Sequence, residues 1–109
     1  MFYRSSWELY VYKILDKLLK NKHIKYVDVP QKIEYVHEYK RHYFPDIMVE
    51  YNDGDFKIIE IKPKSKLLLE MNINKFKYAF EKFKNKFIIL TEHDIFNDEL
   101  EDKIKNKFI

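Results

Sequence analysis

Asp46, Glu60 and Lys62 are the residues of this chain best suited to do chemistry. Two carboxylates and an ammonium at the ends of neighbouring strands could build a metal-dependent phosphodiesterase. Hard oxygen ligands are what Mg²⁺ selects, commonly one or two carboxylates with water and phosphate oxygens completing the octahedron. Such an ion would neutralise a scissile phosphate and lower the pKa of a bound water. A neighbouring lysine would orient that water and offset developing negative charge.

The flanking sequence supplies the elements that would hold these groups together. Pro45-Asp46 opens the apolar run Ile47, Met48, Val49 and Tyr51. A turn at Asn52-Asp53-Gly54-Asp55 then feeds a second run, Phe56 to Ile61, as in an antiparallel hairpin. Side chains alternate along a strand, so Glu60 and Lys62 share a face with Phe56 and Ile58, while Ile59 and Ile61 point to the other. Upstream, Ile33 to His37 reads as a strand, Glu38 to Arg41 as its turn and His42 to Glu50 as the next strand. With Phe56 to Lys62 these make a three-stranded meander. Val27 to Val29 reads as a short extended piece stopped by Pro30.

Helices are legible on either side. Trp7, Val11, Ile14, Leu15 and Leu18 follow helical spacing and predict a helix over Ser6 to Lys20, ended by Asn21 to His23. After Pro63 ends the third strand, Leu69, Ile73, Phe76, Phe80 and Phe83 repeat at helical intervals and are expected to be core. Trp7 is expected to be core as well. Phe87 to Thr91 is a continuous apolar run, the pattern of a buried strand pairing parallel to an earlier one after a helical crossover. Asp98 to Lys107 predicts a terminal amphipathic helix. The expected order is helix, three strands, helix, strand, helix: an α/β chain with a mixed sheet flanked by helices.

Composition sets bounds on this reading. A length of 109 residues suits one domain, 1–109, with a modest core. Apolar residues make up 46% and aromatics 17%, enough to bury a core and far from a disordered composition. The formal net charge of +3 is a weak pointer to nucleic acid, but Lys62 to Lys86 is strongly basic and Glu92 to Glu101 acidic. With no cysteine, thiolate metal sites and disulfides are excluded. No apolar run approaches the roughly 20 residues of a bilayer span, so no membrane association is expected and a cytoplasmic setting is the default.

Taken together, these residues resemble the PD-(D/E)XK nuclease superfamily, whose restriction-endonuclease-like core has the order αβββαβ, here followed by a C-terminal helix. Pro45-Asp46 and Glu60-Ile61-Lys62 match the motif that names it, and Glu8 matches an additional acidic residue carried by many members. The blocks Tyr3 to Glu8, Arg41 to Asp46 and Glu60 to Lys64 resemble the head-completion nucleases of tailed phages and the end nucleases of transposons. The resemblance implies a Mg²⁺-dependent DNA endonuclease, with Mn²⁺ able to substitute, leaving 5′-phosphate ends. Asp46, Glu60 and the Ile61 carbonyl would bind metal, Lys62 would position the attacking water and Glu8 would assist. Asn74 and Tyr78 are similar in spacing to a Gln-x-x-x-Tyr element of some members, with Asn in place of Gln. Against that pattern the chain begins just before the Arg-Ser-Ser-Trp-Glu block, which implies less DNA contact or a partner that supplies it. A phage-type setting would place the protein in the host cytoplasm.

Several of these residues have a second reading. Ser5-Ser6-Trp7-Glu8 is also a helix capping box, with Glu8 reaching back to the Ser5 backbone. Arg4 could bind phosphate or pair with an acid, and His42 beside Arg41 could touch DNA or serve a structural hydrogen bond. Lys64, Lys66 and Lys75 could track a DNA backbone or coat a solvated face. At the level of function, a branched-DNA or Holliday-junction resolvase acting as a homodimer competes with a structure- or end-directed nuclease. A non-catalytic DNA-binding or assembly module of the same fold and a plain salt-bridge cluster also remain. No segment is recognisable as a base-reading head, so a protein partner could supply the targeting.

Overall fold

The computed structural model describes residues 6–30 and 32–109. Helix α1 (Ser6–Lys20) ends where its apolar spacing predicts, and Val11, Leu15 and Leu18 return to one face and bury there. It ends in a Schellman motif. The His23 N–H reaches the Leu18 carbonyl at 2.9 Å, the Lys22 N–H reaches Leu19 at 3.1 Å, and Lys22 takes the left-handed conformation at φ 63°.

In chain order the strands are β1 (Tyr26–Asp28), β2 (Ile33–His37), β3 (Tyr39–Tyr43), β4 (Ile47–Glu50), β5 (Phe56–Ile61) and β6 (Phe87–Leu90). The central sheet has four strands in the order β1-β4-β5-β6, the first three antiparallel and β6 parallel to β5. Helix α2 (Glu70–Phe83) carries the chain from β5 to β6, as the apolar run at Phe87 predicts. The resulting mixed sheet with flanking helices is compatible with a restriction-endonuclease-like fold.

The meander is built from different strands than expected. Its first strand is the short β1, whereas Ile33–His37 pairs with β3 in a separate two-stranded ribbon inserted between β1 and β4. The expected strand from His42 to Glu50 is broken at Phe44-Pro45-Asp46, where Pro45 has no N–H for a ladder. The ribbon turns around Glu38 alone, which sits at φ 68° between the paired His37 and Tyr39, so the expected turn over Glu38 to Arg41 is mostly strand. The hairpin between β4 and β5 forms as expected, with Gly54 at φ 89°.

Two apolar clusters sandwich the sheet. On one face Ile47, Val49, Ile59, Ile61 and Leu90 meet Val11, Leu15 and Leu18 of α1, together with Ile95, Leu100 and Ile104. The last three come from α3 (Glu92–Ile95) and α4 (Leu100–Lys105), so the expected terminal helix over Asp98 to Lys107 is shorter and is preceded by a separate turn of helix. Thr91 ends the apolar run by capping α3 in a capping box with Asp94. On the other face Ile58 and Phe87 meet Phe76 and Ala79 of α2 and Ile33, Tyr35 and Tyr43 of the ribbon. The apolar stripe of α2 is core only in part. Phe76 is buried and Phe83 half-buried, while Leu69, Ile73 and Phe80 are about half exposed because the narrow sheet leaves that flank of the helix uncovered. Trp7 is half-buried against the edge of Phe96 rather than enclosed.

Candidate active site

The turn between ribbon and sheet delivers Asp46 to the end of β4. Ile47 pairs with Ile59 across the sheet, so continuing that register by one residue sets Asp46 opposite Glu60. Asp46 Oδ2 accepts a hydrogen bond of 2.7 Å from the Ile61 N–H, which fixes the carboxylate at this position. Glu60, on the α2 face of β5, is 4% exposed, and its Oε1 lies 4.0 Å from Lys62 Nζ. The Lys62 N–H joins the Leu90 carbonyl at 3.0 Å, holding the lysine just past the end of the inner strand β5. Glu8, in the first turn of α1, is buried too. Glu8, Asp46, Glu60, Ile61, Lys62 and Lys75 line one open cavity of about 580 Å³, with Tyr43, Phe44 and His42 on its wall.

A buried carboxylate is costly to keep charged in the absence of a cation, because burial penalises the charged form. The effect is clearest at Glu60. Burial pushes its carboxyl above the usual range, opposed only in part by the Tyr43 hydroxyl, by the charges of Lys62 and Lys75, and by Asp46. Its Oε2 is buried without a hydrogen bond of ordinary geometry, although the Tyr43 hydroxyl lies near enough to favour the ionised form. Lys75 reaches this wall from α2, with its ammonium 5.1 Å from the Tyr43 ring.

The family model for the TnsA-like endonuclease N-terminal domain matches residues 20–92, most of the chain. The chain belongs to this family. TnsA-like endonucleases are nucleases of the PD-(D/E)XK type found at transposon ends, and DNA is the substrate that a domain of this family implies. The match takes in Asp46, Glu60, Lys62 and Lys75, and Glu8 lies before it. Comparisons with curated proteins and with solved structures give no significant match.

Nucleases of the PD-(D/E)XK type typically use divalent metals. Among the described residues no group of three or more His, Cys, Asp or Glu side chains is arranged to enclose an ion. The pair Asp46 and Glu60 nevertheless fits a hard cation that keeps most of its water, since Mg²⁺ sites commonly use one or two carboxylates and leave the remaining positions to water and phosphate. The unsatisfied Glu60 Oε2 is the oxygen that such an ion would complete.

The DNA-facing candidates divide. His42, with its Nδ1 3.9 Å from Glu34, and Lys75 line the cavity. Arg41 stacks on Tyr39 at 4.4 Å on the neighbouring ribbon and is not part of the cavity wall. Lys64 and Lys66 are exposed on the 3₁₀ turn after Pro63, and the Lys64 N–H is held by the Glu92 carboxylate at 3.2 Å. Asn74 is half-buried on α2 away from the cavity wall. Tyr78 packs 6.3 Å from Tyr35 and lines a separate groove with Lys32 and Glu81. Arg4 and the Ser5 cap lie outside the described residues. Sequence reasoning missed Tyr43 and Phe44. The signal was present in the aromatic pair directly before Pro45-Asp46, but strand alternation through an unbroken run hid the bend that turns them into the site.

Proposed function

We propose that this TnsA-like chain is a DNA endonuclease that depends on a divalent cation, natively Mg²⁺ with Mn²⁺ able to substitute, and that residues 1–109 form a single nuclease domain. The observation that carries the reading is the juxtaposition of buried Asp46 and Glu60, one Glu60 oxygen unsatisfied, with Lys62 at 4.0 Å. Asp46, Glu60 and the Ile61 carbonyl would hold the ion, which when bound supplies positive charge to the scissile phosphate and acidifies water. Lys62 orients the attacking water and offsets charge on the phosphate as it develops. Glu8 accepts hydrogen bonds from water on the α1 side of the cavity, and Lys75 draws the phosphate backbone inward.

Choice of target follows structure or strand ends rather than base sequence, since among the described residues no element lining the cavity is shaped to enter a groove and read base edges. One site cuts one strand, so cutting both calls for a second copy of the chain or a partner protein.

The test is incubation of the purified protein and its Glu60→Ala variant with supercoiled, linear and branched DNA in Mg²⁺, Mn²⁺ or EDTA. The reading expects cleavage by the wild type in either metal, none in EDTA and none by the variant. DNA binding without cleavage under every condition would favour a non-catalytic module instead.

A further inference from the structure

Phe44 is exposed where burial would be expected. Its chain neighbours Tyr43 and Pro45 are buried, yet Phe44 is 55% exposed and lines the same cavity as Glu60 and Lys62. Scattered exposed apolar residues need no explanation. Phe44 differs because its backbone is fixed on both sides, by the pairing of Tyr43 with Ile33 and by the bond from Ile61 to Asp46 two residues later. An exposed phenyl ring thereby lines a cavity that also presents Glu8, Asp46, Glu60, Lys62 and Lys75, whereas the other aromatic rings of its wall, Trp7, Tyr35 and Tyr43, are buried or half-buried.

Lysines that draw a phosphate backbone, next to an aromatic face, are the two components with which proteins hold unpaired nucleic acid strands: charge follows the phosphates and the ring stacks on a base. An intact duplex offers phosphate and sugar to such a site, because its bases are covered by their neighbours in the stack. We propose, building on the nuclease reading, that Phe44 is a stacking platform for an unpaired base beside the cleaved phosphate. The substrate class of the site is accordingly DNA whose duplex is interrupted, as at a fork.

The test pairs a binding and a cleavage readout across Phe44→Ala, Phe44→Leu and Phe44→Trp. In EDTA, a forked oligonucleotide with 2-aminopurine at the unpaired position is titrated with each protein. The fluorescence change that reports stacking should persist in Phe44→Trp and vanish in Phe44→Ala and in Phe44→Leu, which keeps the apolar bulk without a ring. In Mg²⁺, Phe44→Ala should cut the fork roughly 5- to 150-fold more slowly relative to an intact duplex of the same sequence, the range expected for one base–aromatic stack. Because the ring is exposed, unchanged melting curves should accompany both losses. Equal slowing on fork and duplex, or a fluorescence change independent of residue 44, would overturn the proposal. Absence of cleavage of any DNA by the wild type would instead strike the nuclease reading, and the binding experiment would still decide the role of Phe44.

Discussion

The carboxylate of Asp46 accepts a hydrogen bond from the backbone N–H of Ile61 at 2.7 Å, joining the residue just before β4 to the residue beside Glu60 on β5. A side chain here does the work of a ladder bond at a point where Pro45 has interrupted the strand. It therefore carries part of the stability of the site as well as its charge.

That dual role separates two substitutions. Asp46→Ala leaves a buried N–H without its acceptor, at a cost of about 1–3 kcal/mol. Asp46→Asn keeps an oxygen in place and should unfold in urea close to the wild type, although neither variant should cleave DNA. Equal destabilisation by Asn and Ala would contradict the role given to this bond.

Glu60 should make the metal-free protein sensitive to pH. Burial raises its pKa in the folded state above the unfolded value, so the stability it contributes is present at acid pH and is lost as pH rises through the folded pKa. In EDTA, Glu60→Gln should be more stable than the wild type at alkaline pH. The difference should close below the ordinary carboxylate range. Denaturation curves across pH check this, and a difference that does not vary with pH would count against a raised Glu60.

Tyr43→Phe removes a hydroxyl that favours ionised Glu60. The carboxyl should then titrate higher still, and the acid limb of the cleavage rate should move to higher pH while the alkaline limb stays in place. Profiles of single-turnover cleavage for the two proteins would show the displacement. Superimposable profiles would mean that Tyr43 does not tune this carboxylate.

Lys75 should act on affinity through the DNA backbone. If it neutralises one phosphate, Lys75→Ala should reduce the slope of log K against log salt by about 0.9. Lys20→Ala, at the far end of α1 about 18 Å along the helix from Glu8, should leave the slope unchanged. Binding isotherms at several salt concentrations, measured in EDTA, give both slopes.

How much of this was legible in the sequence differs element by element. The end of α1 follows from Val11, Leu15 and Leu18, whose spacing admits a single buried face. The parallel pairing of β6 follows from an unbroken apolar run after a helix. The facing of Glu60 and Lys62 away from Ile59 and Ile61 needed only the alternation of a strand. By contrast, Tyr26–Asp28 is too short and too exposed to outcompete the stronger pattern of Ile33–His37, so the true first strand of the meander was hidden behind the ribbon. Along α2, the aromatic stripe marks an apolar face without saying how much sheet there is to cover it. Asn72, buried by donating to the Lys66 carbonyl at 2.7 Å, has no apolar signature at all. The carboxylates and Lys62 could be named from their types and spacing, whereas Tyr43 and Phe44 reach the site through the break at Pro45, a tertiary feature.

The measurement that bears most directly on the central claim compares wild type with Lys62→Ala in Mg²⁺, scoring both nicking of supercoiled DNA and the rise in melting temperature caused by the ion. If Asp46 and Glu60 hold the cation and Lys62 serves the water, Mg²⁺ should stabilise both proteins and only the wild type should nick. An unchanged melting temperature in both, with no nicking by either, would mean that Asp46, Glu60 and Lys62 form no more than a buried cluster of charges. Equal nicking by both would remove Lys62 from the reaction.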